Sequence, residues 1–194
     1  MSESQPLVLV VEDEPDLADL YAAWLGDDYR VRTAYGGHEA LDVLDDVDGT
    51  VDAILLDRRM PGLSGDEVLA AVRERGVDCR VAMVTAVEPD FDILGMGFDD
   101  YLVKPVASDT LRETVEGLLQ RGEYDTGVQD LFALTSKKAM LEAEKSASEL
   151  ADNEEYQALA EEIETLRADV DDSLEAVTET DDFEGLFREF DVDA

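Results

Sequence analysis

Cysteine pairs, histidines, basic clusters and long apolar runs are all missing or scarce in this chain of 194 residues. With Cys79 as its one cysteine the chain can form no intramolecular disulfide, and the apolar neighbours of Cys79 make it a small core residue. No apolar run approaches bilayer-spanning length. The run Leu7 to Val11 is too short for a signal peptide and has no cationic flank, so a soluble, cytoplasmic protein is expected. Four lysines and eleven arginines stand against fifty acidic residues, for a net charge of −35 and a pI near 4.1. No basic stripe is present, which removes the electrostatic footprint of a nucleic-acid binder and makes direct DNA binding unexpected. Acids spread this evenly suit molar-salt cytoplasm, where self-repulsion is screened and carboxylates keep the surface hydrated, so the source reads as a halophile.

What the chain does have is an alternation of short apolar runs and helical patterns from residue 7 to about 121. Strands are predicted at Leu7–Val11, Tyr29–Ala34, Val51–Leu56, Val81–Val84 and Tyr101–Val103. Pro15 suits a first helical turn, and Leu17, Leu20, Tyr21, Trp24 and Leu25 recur at helix spacing up to Gly26. A second helix covers His38–Leu44, and Ser64 caps a third that carries Val68, Leu69 and Val72. Ser108 caps the last, with Leu111, Val115, Leu118 and Leu119 on its inner face. Alternating strand–helix units with short connections call for a parallel sheet covered by helices on both faces.

Chemistry-bearing residues fall at the C-terminal ends of these strands: Glu12 and Asp13, then Asp57, Thr85 and Lys104. In an open parallel sheet those ends form the ligand crevice. Three carboxylates there repel one another unless a cation joins them, which asks for a hard metal such as Mg²⁺. Asp57 is the natural nucleophile: an aspartate carboxylate can accept a phosphoryl group as an acyl phosphate. That transfer needs in-line geometry and charge neutralisation more than acid–base help. Mg²⁺ held by Asp13, Asp57 and, through water, Glu12 would bridge carboxylate and phosphoryl oxygens. Lys104 would add a point charge and Thr85 a hydroxyl hydrogen bond. Pro105 fits a cis peptide.

The motifs Val10-Val11-Glu12-Asp13-Glu14, Leu56-Asp57-Arg58-Arg59-Met60-Pro61-Gly62 with Gly65, Val84-Thr85-Ala86, and Asp99-Asp100-Tyr101-Leu102-Val103-Lys104-Pro105 together resemble the receiver domain of two-component response regulators. The resemblance implies a flavodoxin-like, doubly wound α/β fold with a five-stranded parallel sheet in the order 2-1-3-4-5. It implies phosphorylation of Asp57 by a sensor histidine kinase. It also implies metal ligation by Glu12, Asp13, Asp57 and the backbone carbonyl of Arg58, and a switch pair of Thr85 and Tyr101. In that scheme Thr85 moves onto the phosphoryl group and Tyr101 turns inward behind it. The chain would then be a phosphoacceptor switch rather than a turnover enzyme, with only self-phosphotransfer and self-dephosphorylation. His38, the one histidine, opens a helix beside Gly36-Gly37, so the phosphodonor histidine belongs to another protein. The stretch from Ala86 to Gly97 is shorter than the family's usual length, and Pro89 with Gly95 and Gly97 limits any helix there.

These features divide the chain into a receiver at 1–121, a linker at 122–127 and an acidic helical domain at 128–194. Through Arg121 there are 10 basic and 27 acidic residues, giving −17; the remainder has 5 and 23, giving −18. Tyr156, Leu159, Ile163, Leu166, Val170 and Val177 follow the 3-and-4 spacing of a coiled-coil seam, and Asp152-Asn153 marks a turn before them. A helical hairpin that buries its seam within itself or across a homodimer is expected, similar in context, length and composition to the HalX domain of haloarchaeal regulators. Phe183, Leu186, Phe187 and Phe190 form one stripe, readable as a fold-back onto the hairpin or as a docking helix for a downstream protein. Two further functions compete with a protein-contact output. One is a transcription regulator that binds DNA through the tail, against which the −18 charge argues except where salt screens it. The other is an Asp-nucleophile phosphatase, which would want a second Asp where Arg59 stands.

Overall fold

The computed structural model describes residues 5–47, 50–121 and 126–177. Five strands run β1 Leu7–Val11, β2 Arg30–Ala34, β3 Ala53–Leu56, β4 Arg80–Thr85 and β5 Asp100–Val103. All neighbouring strands pair in parallel, in the order β2-β1-β3-β4-β5. Every residue of β1 and β3 is buried, as continuous apolar strands covered on both faces must be. β2, at one edge, alternates instead between exposed and half-buried positions until Ala34.

Helices α1 Pro15–Leu25 and α4 Ser108–Arg121 share one buried cluster with the inner residues Val8, Val10, Leu55 and Val84. α2 Gly37–Asp46 and α3 Gly65–Glu74 cover the opposite face through Ala40, Leu44, Val68 and Val72 against Leu9, Ile54 and Met83. Pro15 opens α1. α3 begins at a capping box in which the Ser64 hydroxyl accepts from the Glu67 amide while the Glu67 carboxylate accepts from the Ser64 amide. Cys79 is buried and free. The Lys104–Pro105 peptide bond is cis.

Between β4 and β5 the chain makes only a short 3-10 turn, Phe91–Gly95. The C-terminal helices pack where that segment leaves the sheet without a long helix. α5 Thr126–Glu144 takes in the last two residues of the expected linker; it is followed by α6 Ala147–Ala151 and α7 Glu154–Val177. α5 and α7 pack on each other, and both contact the 3-10 turn. Asn153 caps α7, its side-chain oxygen accepting from the Tyr156 amide at 2.8 Å, so the hairpin turns where the Asp152-Asn153 pair suggested. Of the expected seam, Tyr156, Leu159, Ile163 and Val170 are buried and Leu166 is half-buried within this one chain. The Val177 side chain and the Phe183, Leu186, Phe187 and Phe190 stripe lie outside the described residues.

Docking of the hairpin onto the sheet domain has no counterpart in the sequence expectations. Leu141 of α5, Leu150 of α6 and Tyr156 of α7 belong to the same buried cluster as Ile93, Phe98 and Tyr101. Leu141 and Ile93 are both fully buried, at 0 % exposure. Polar contacts reinforce this apolar seal. Lys137 donates to the Met96 carbonyl and lies 5.0 Å over the Phe98 ring. Lys145 pairs with Asp90 at 2.8 Å and lies 5.3 Å over the Phe91 ring. Arg80 on β4 donates to Gln129 of α5. Burial pushes the Lys137 ammonium below its ordinary value.

Candidate functional site

Backbone hydrogen bonds that continue the ladder past the strands bring Glu12, Asp57, Thr85 and Lys104 to one end of the sheet. The Glu12 amide donates to Ala34 O at 3.0 Å, the Asp57 amide to Val11 O at 2.9 Å, and the Lys104 amide to Thr85 O at 2.8 Å. Their side chains are thereby fixed at the carboxyl end, where the crevice of a parallel sheet opens. Glu12, Asp13 and Asp57 each offer a carboxylate oxygen, all lying within 4.8 Å of one another. Glu12 and Asp57 are buried while Asp13 is half-buried at the rim. An opening of about 510 Å³ borders this cluster at Asp13 and is lined further by Arg58, Arg59, Met60, Pro61, Ser64 and Asp66.

Three oxygen donors of like charge, converging this closely and open to solvent on one side, suit a hard divalent cation. Lys104 supplies the one ammonium, 2.5 Å from Glu12 and 3.5 Å from Asp57. Burial raises Glu12 above the ordinary carboxylate range, although the hydrogen bond from Lys104 pulls the other way. Burial alone would lower Lys104, but Glu12 and Asp57 outweigh it and hold the ammonium above its ordinary value.

The turn after Asp57 is tight. Gly62 has φ of 78°, which favours glycine, and a Cβ at Gly65 would collide with the Asp57 carbonyl. That close approach lets the Gly65 amide donate to Arg58 O at 2.9 Å. The Arg58 carbonyl, expected as a metal ligand, thus has one lone pair already engaged. Arg59 sends its amide toward Asp57 Oδ1 at 3.4 Å.

Thr85 is fully buried, and its hydroxyl oxygen accepts from the Val87 amide at 3.3 Å. Tyr101, 5 % exposed, tilts against Phe98 and donates its hydroxyl to the Val87 carbonyl at 2.6 Å. Its ring is already inside, roofed by the hairpin cluster. His38 lies on α2 and makes no hydrogen bond or ion pair to Glu12, Asp13, Asp57, Thr85 or Lys104 among the described residues.

Sequence reasoning missed the part played by the Arg58 side chain. Its guanidinium is buried, bonded to Asp66 of α3 at 3.0 Å and to Asp92 of the 3-10 turn. Burial opposes its charge, but the bonds to Asp66 and Asp92 prevail and hold it above its ordinary value. Nothing in a Leu-Asp-Arg-Arg-Met run distinguishes this arginine from a surface one. For the docked hairpin a signal did exist: three of the four lysines, Lys137, Lys138 and Lys145, fall within one short stretch of α5 and its end.

Comparisons with known proteins identify the family and the fold. The family model of the response regulator receiver domain matches residues 8–116, and that of the HalX domain matches residues 120–187. A putative transcriptional regulator of Haloferax volcanii is 52% identical over 167 residues, covering 86% of this chain and 28% of that protein. The transcriptional regulatory protein DltR of Streptococcus agalactiae is 38% identical over 108 residues, covering 54% of this chain and 47% of that protein. The chain thus spans about half or less of the length of these curated relatives. Among solved structures, the response regulator TrrA of Thermotoga maritima in complex with Mg²⁺ and BeF superposes with a TM-score of 0.52 at 35% identity, covering 59% of this chain and 99% of that one. The chain belongs to the response regulator receiver family, with a HalX domain behind its receiver.

Proposed function

We propose that the chain is the phosphoacceptor of a two-component phosphorelay, taking a phosphoryl group on Asp57 from a sensor histidine kinase and passing the change to other proteins through its helical domain. The observation that carries this reading is the convergence of Glu12, Asp13 and Asp57 within 4.8 Å, with Lys104 reaching both Glu12 and Asp57. Glu12, Asp13 and Asp57 would hold Mg²⁺, the Arg58 carbonyl contributing through its second lone pair. Bound there, the ion would neutralise the carboxylates and draw the phosphoryl oxygens into line. An oxygen of Asp57 attacks phosphorus as the bond from phosphorus to the donor imidazole breaks; that imidazole, protonated on its other ring nitrogen, keeps the bonding pair and leaves as neutral histidine, with an acyl phosphate formed here. Lys104 pairs with a phosphoryl oxygen, and the Thr85 hydroxyl donates to another once it turns from Val87. Hydrolysis of the acyl phosphate resets Asp57, so no external substrate is turned over.

On this reading the receiver occupies 1–121, joined through 122–127 to the helical output. No described helix is long and apolar enough to cross a membrane, in keeping with a cytoplasmic switch. The names of the relatives favour control of transcription. Direct DNA contact by the tail is a second reading, which a band shift with promoter DNA in molar KCl would test.

The phosphoacceptor reading is tested by intact mass. Acetyl phosphate with Mg²⁺ in molar KCl should add one phosphoryl group to the wild type and none to Asp57→Asn or to the wild type in EDTA. Mass gain by the Asp57→Asn variant, or none by folded wild type, would refute it.

A further inference from the structure

The segment from Val87 to Phe98 is held from two sides. Toward the crevice, the Val87 amide donates to Thr85 Oγ1 and the Val87 carbonyl accepts from Tyr101 Oη. Arg58 reaches Asp92 and, from the same guanidinium, Asp66 at the start of α3. Toward the hairpin, Asp90 binds Lys145 at 2.8 Å and Met96 O accepts from Lys137. The 3-10 turn is therefore a short bridge with the phosphoacceptor's neighbour at one end and α5 at the other. Arg58 is the residue after Asp57 in the chain and its side chain is 9 % exposed. One of its terminal nitrogens, Nη1, is buried without an acceptor in hydrogen-bond geometry among the described residues, while the nearby Tyr101 hydroxyl helps to hold the charge of the guanidinium.

Resting on the phosphoacceptor reading of Asp57, we propose that Arg58 is a positioning residue that, through its ion pair with Asp92, passes the state of Asp57 to the C-terminal hairpin. When Thr85 turns its hydroxyl to the phosphoryl group, the Val87 amide loses its acceptor and the segment before the 3-10 turn is freed. Arg58 then decides what moves. Because Asp92 is clamped to a guanidinium that also grips α3, the turn pivots about Asp92 instead of relaxing as a loop. The pivot displaces Asp90 from Lys145 and Met96 from Lys137, which loosens α5. Two discrete arrangements of packed groups, joined by a charge-assisted clamp, are the elements a coupling of this kind requires.

Hydrogen exchange on the full chain in molar KCl tests this, with Mg²⁺ and fluoroberyllate as the stable phosphoryl mimic and acetyl phosphate uptake followed by mass in parallel. In the wild type, amides between Lys137 and Lys145 should exchange at least about fivefold faster once the mimic is added, the lower end of ordinary coupling. Asp92→Asn should still gain one phosphoryl group yet show less than about a twofold change at those amides, well below such coupling. Arg58→Lys, which keeps the charge but cannot fork between Asp66 and Asp92, should give an intermediate response. If Arg58 and Asp92 merely stabilise the fold, Asp92→Asn would speed exchange throughout while keeping the full mimic-dependent change, and that would overturn the inference. Uptake by wild type with unaltered exchange in α5 would also overturn it and leave the phosphoacceptor reading standing; no uptake by wild type would overturn both.

Discussion

Lys104 Nζ lies 2.5 Å from Glu12 Oε2 but 3.5 Å from Asp57 Oδ2, so one ammonium is bonded to the first carboxylate and only adjacent to the second. The nucleophile is left with a free lone pair and a nearby positive charge, while Glu12 bears the hydrogen bond. Replacing Lys104 by Met should slow phosphoryl uptake from acetyl phosphate by about a hundredfold, the usual loss when one preorganised electrostatic partner is removed. Time-resolved intact mass at fixed Mg²⁺ would measure it. A rate within threefold or so of the wild type would show that Lys104 only balances Glu12.

The carboxylate cluster predicts a metal-dependent melting temperature. At Mg²⁺ about a hundredfold above its dissociation constant, linkage adds about 2.7 kcal/mol, or a rise of roughly 5–10 °C for a chain of this size. EDTA should remove the rise. Asp13→Asn should abolish most of it while slightly raising stability in EDTA, because one of three repelling charges is gone. Calorimetry in molar KCl would decide both.

How much of this was legible in the sequence depends on distance along the chain. Glu12, Asp13, Asp57, Thr85 and Lys104 each directly follow or end an apolar run, so local pattern placed them at strand ends, and parallel topology gathered them. The seam of α7 was equally local, since the spacing of Tyr156, Leu159 and Ile163 declares a helix face. What covers that face was not local. Leu141 meets Tyr101 and Ile93 in one cluster across separations of 40 and 48 residues, and no period in either segment encodes the meeting. The Arg58–Asp92 pair is hidden for the same reason, at a separation of 34.

Leu141→Ala should cost about 3 kcal/mol, a typical value for truncating a fully buried leucine. Because Leu141 bridges hairpin and sheet domain, the loss should appear as separate melting of the two parts rather than as a simple shift of one transition. Urea unfolding in molar KCl, followed by tryptophan emission from Trp24 and by far-UV circular dichroism, would reveal the split. Coincident transitions by both probes would argue that the two parts remain one cooperative unit.

Cys79 gives a prediction for alkaline pH. Burial pushes its thiol from 9.0 up to about 11. The folded chain therefore holds that proton more tightly than the unfolded chain, and between those values stability falls as pH rises. Two units amount to about 3 kcal/mol once both states are ionised. Cys79→Ala should flatten the decline between pH 9 and about 11. A stability profile in that range with the same slope in both proteins would contradict it.

The acidic surface predicts dependence on salt. A chain carrying −35 gains from screening, whose range shrinks from about 10 Å at 0.1 M to about 3 Å at 1 M. Melting temperature should climb steadily with KCl and the fold should loosen when salt is removed. An unchanged melting point from low to molar KCl would count against a halophilic surface.

The brevity of the Phe91–Gly95 turn bears on how such proteins can be recombined. A chain ended at residue 121 would leave Ile93, Phe98 and Tyr101 without Leu141, Leu150 and Tyr156 above them. Swapping this output for a foreign one would then mean supplying a new roof as well as a new message. The two parts are thus not interchangeable cassettes, and a change on either side of their shared surface has to be answered on the other.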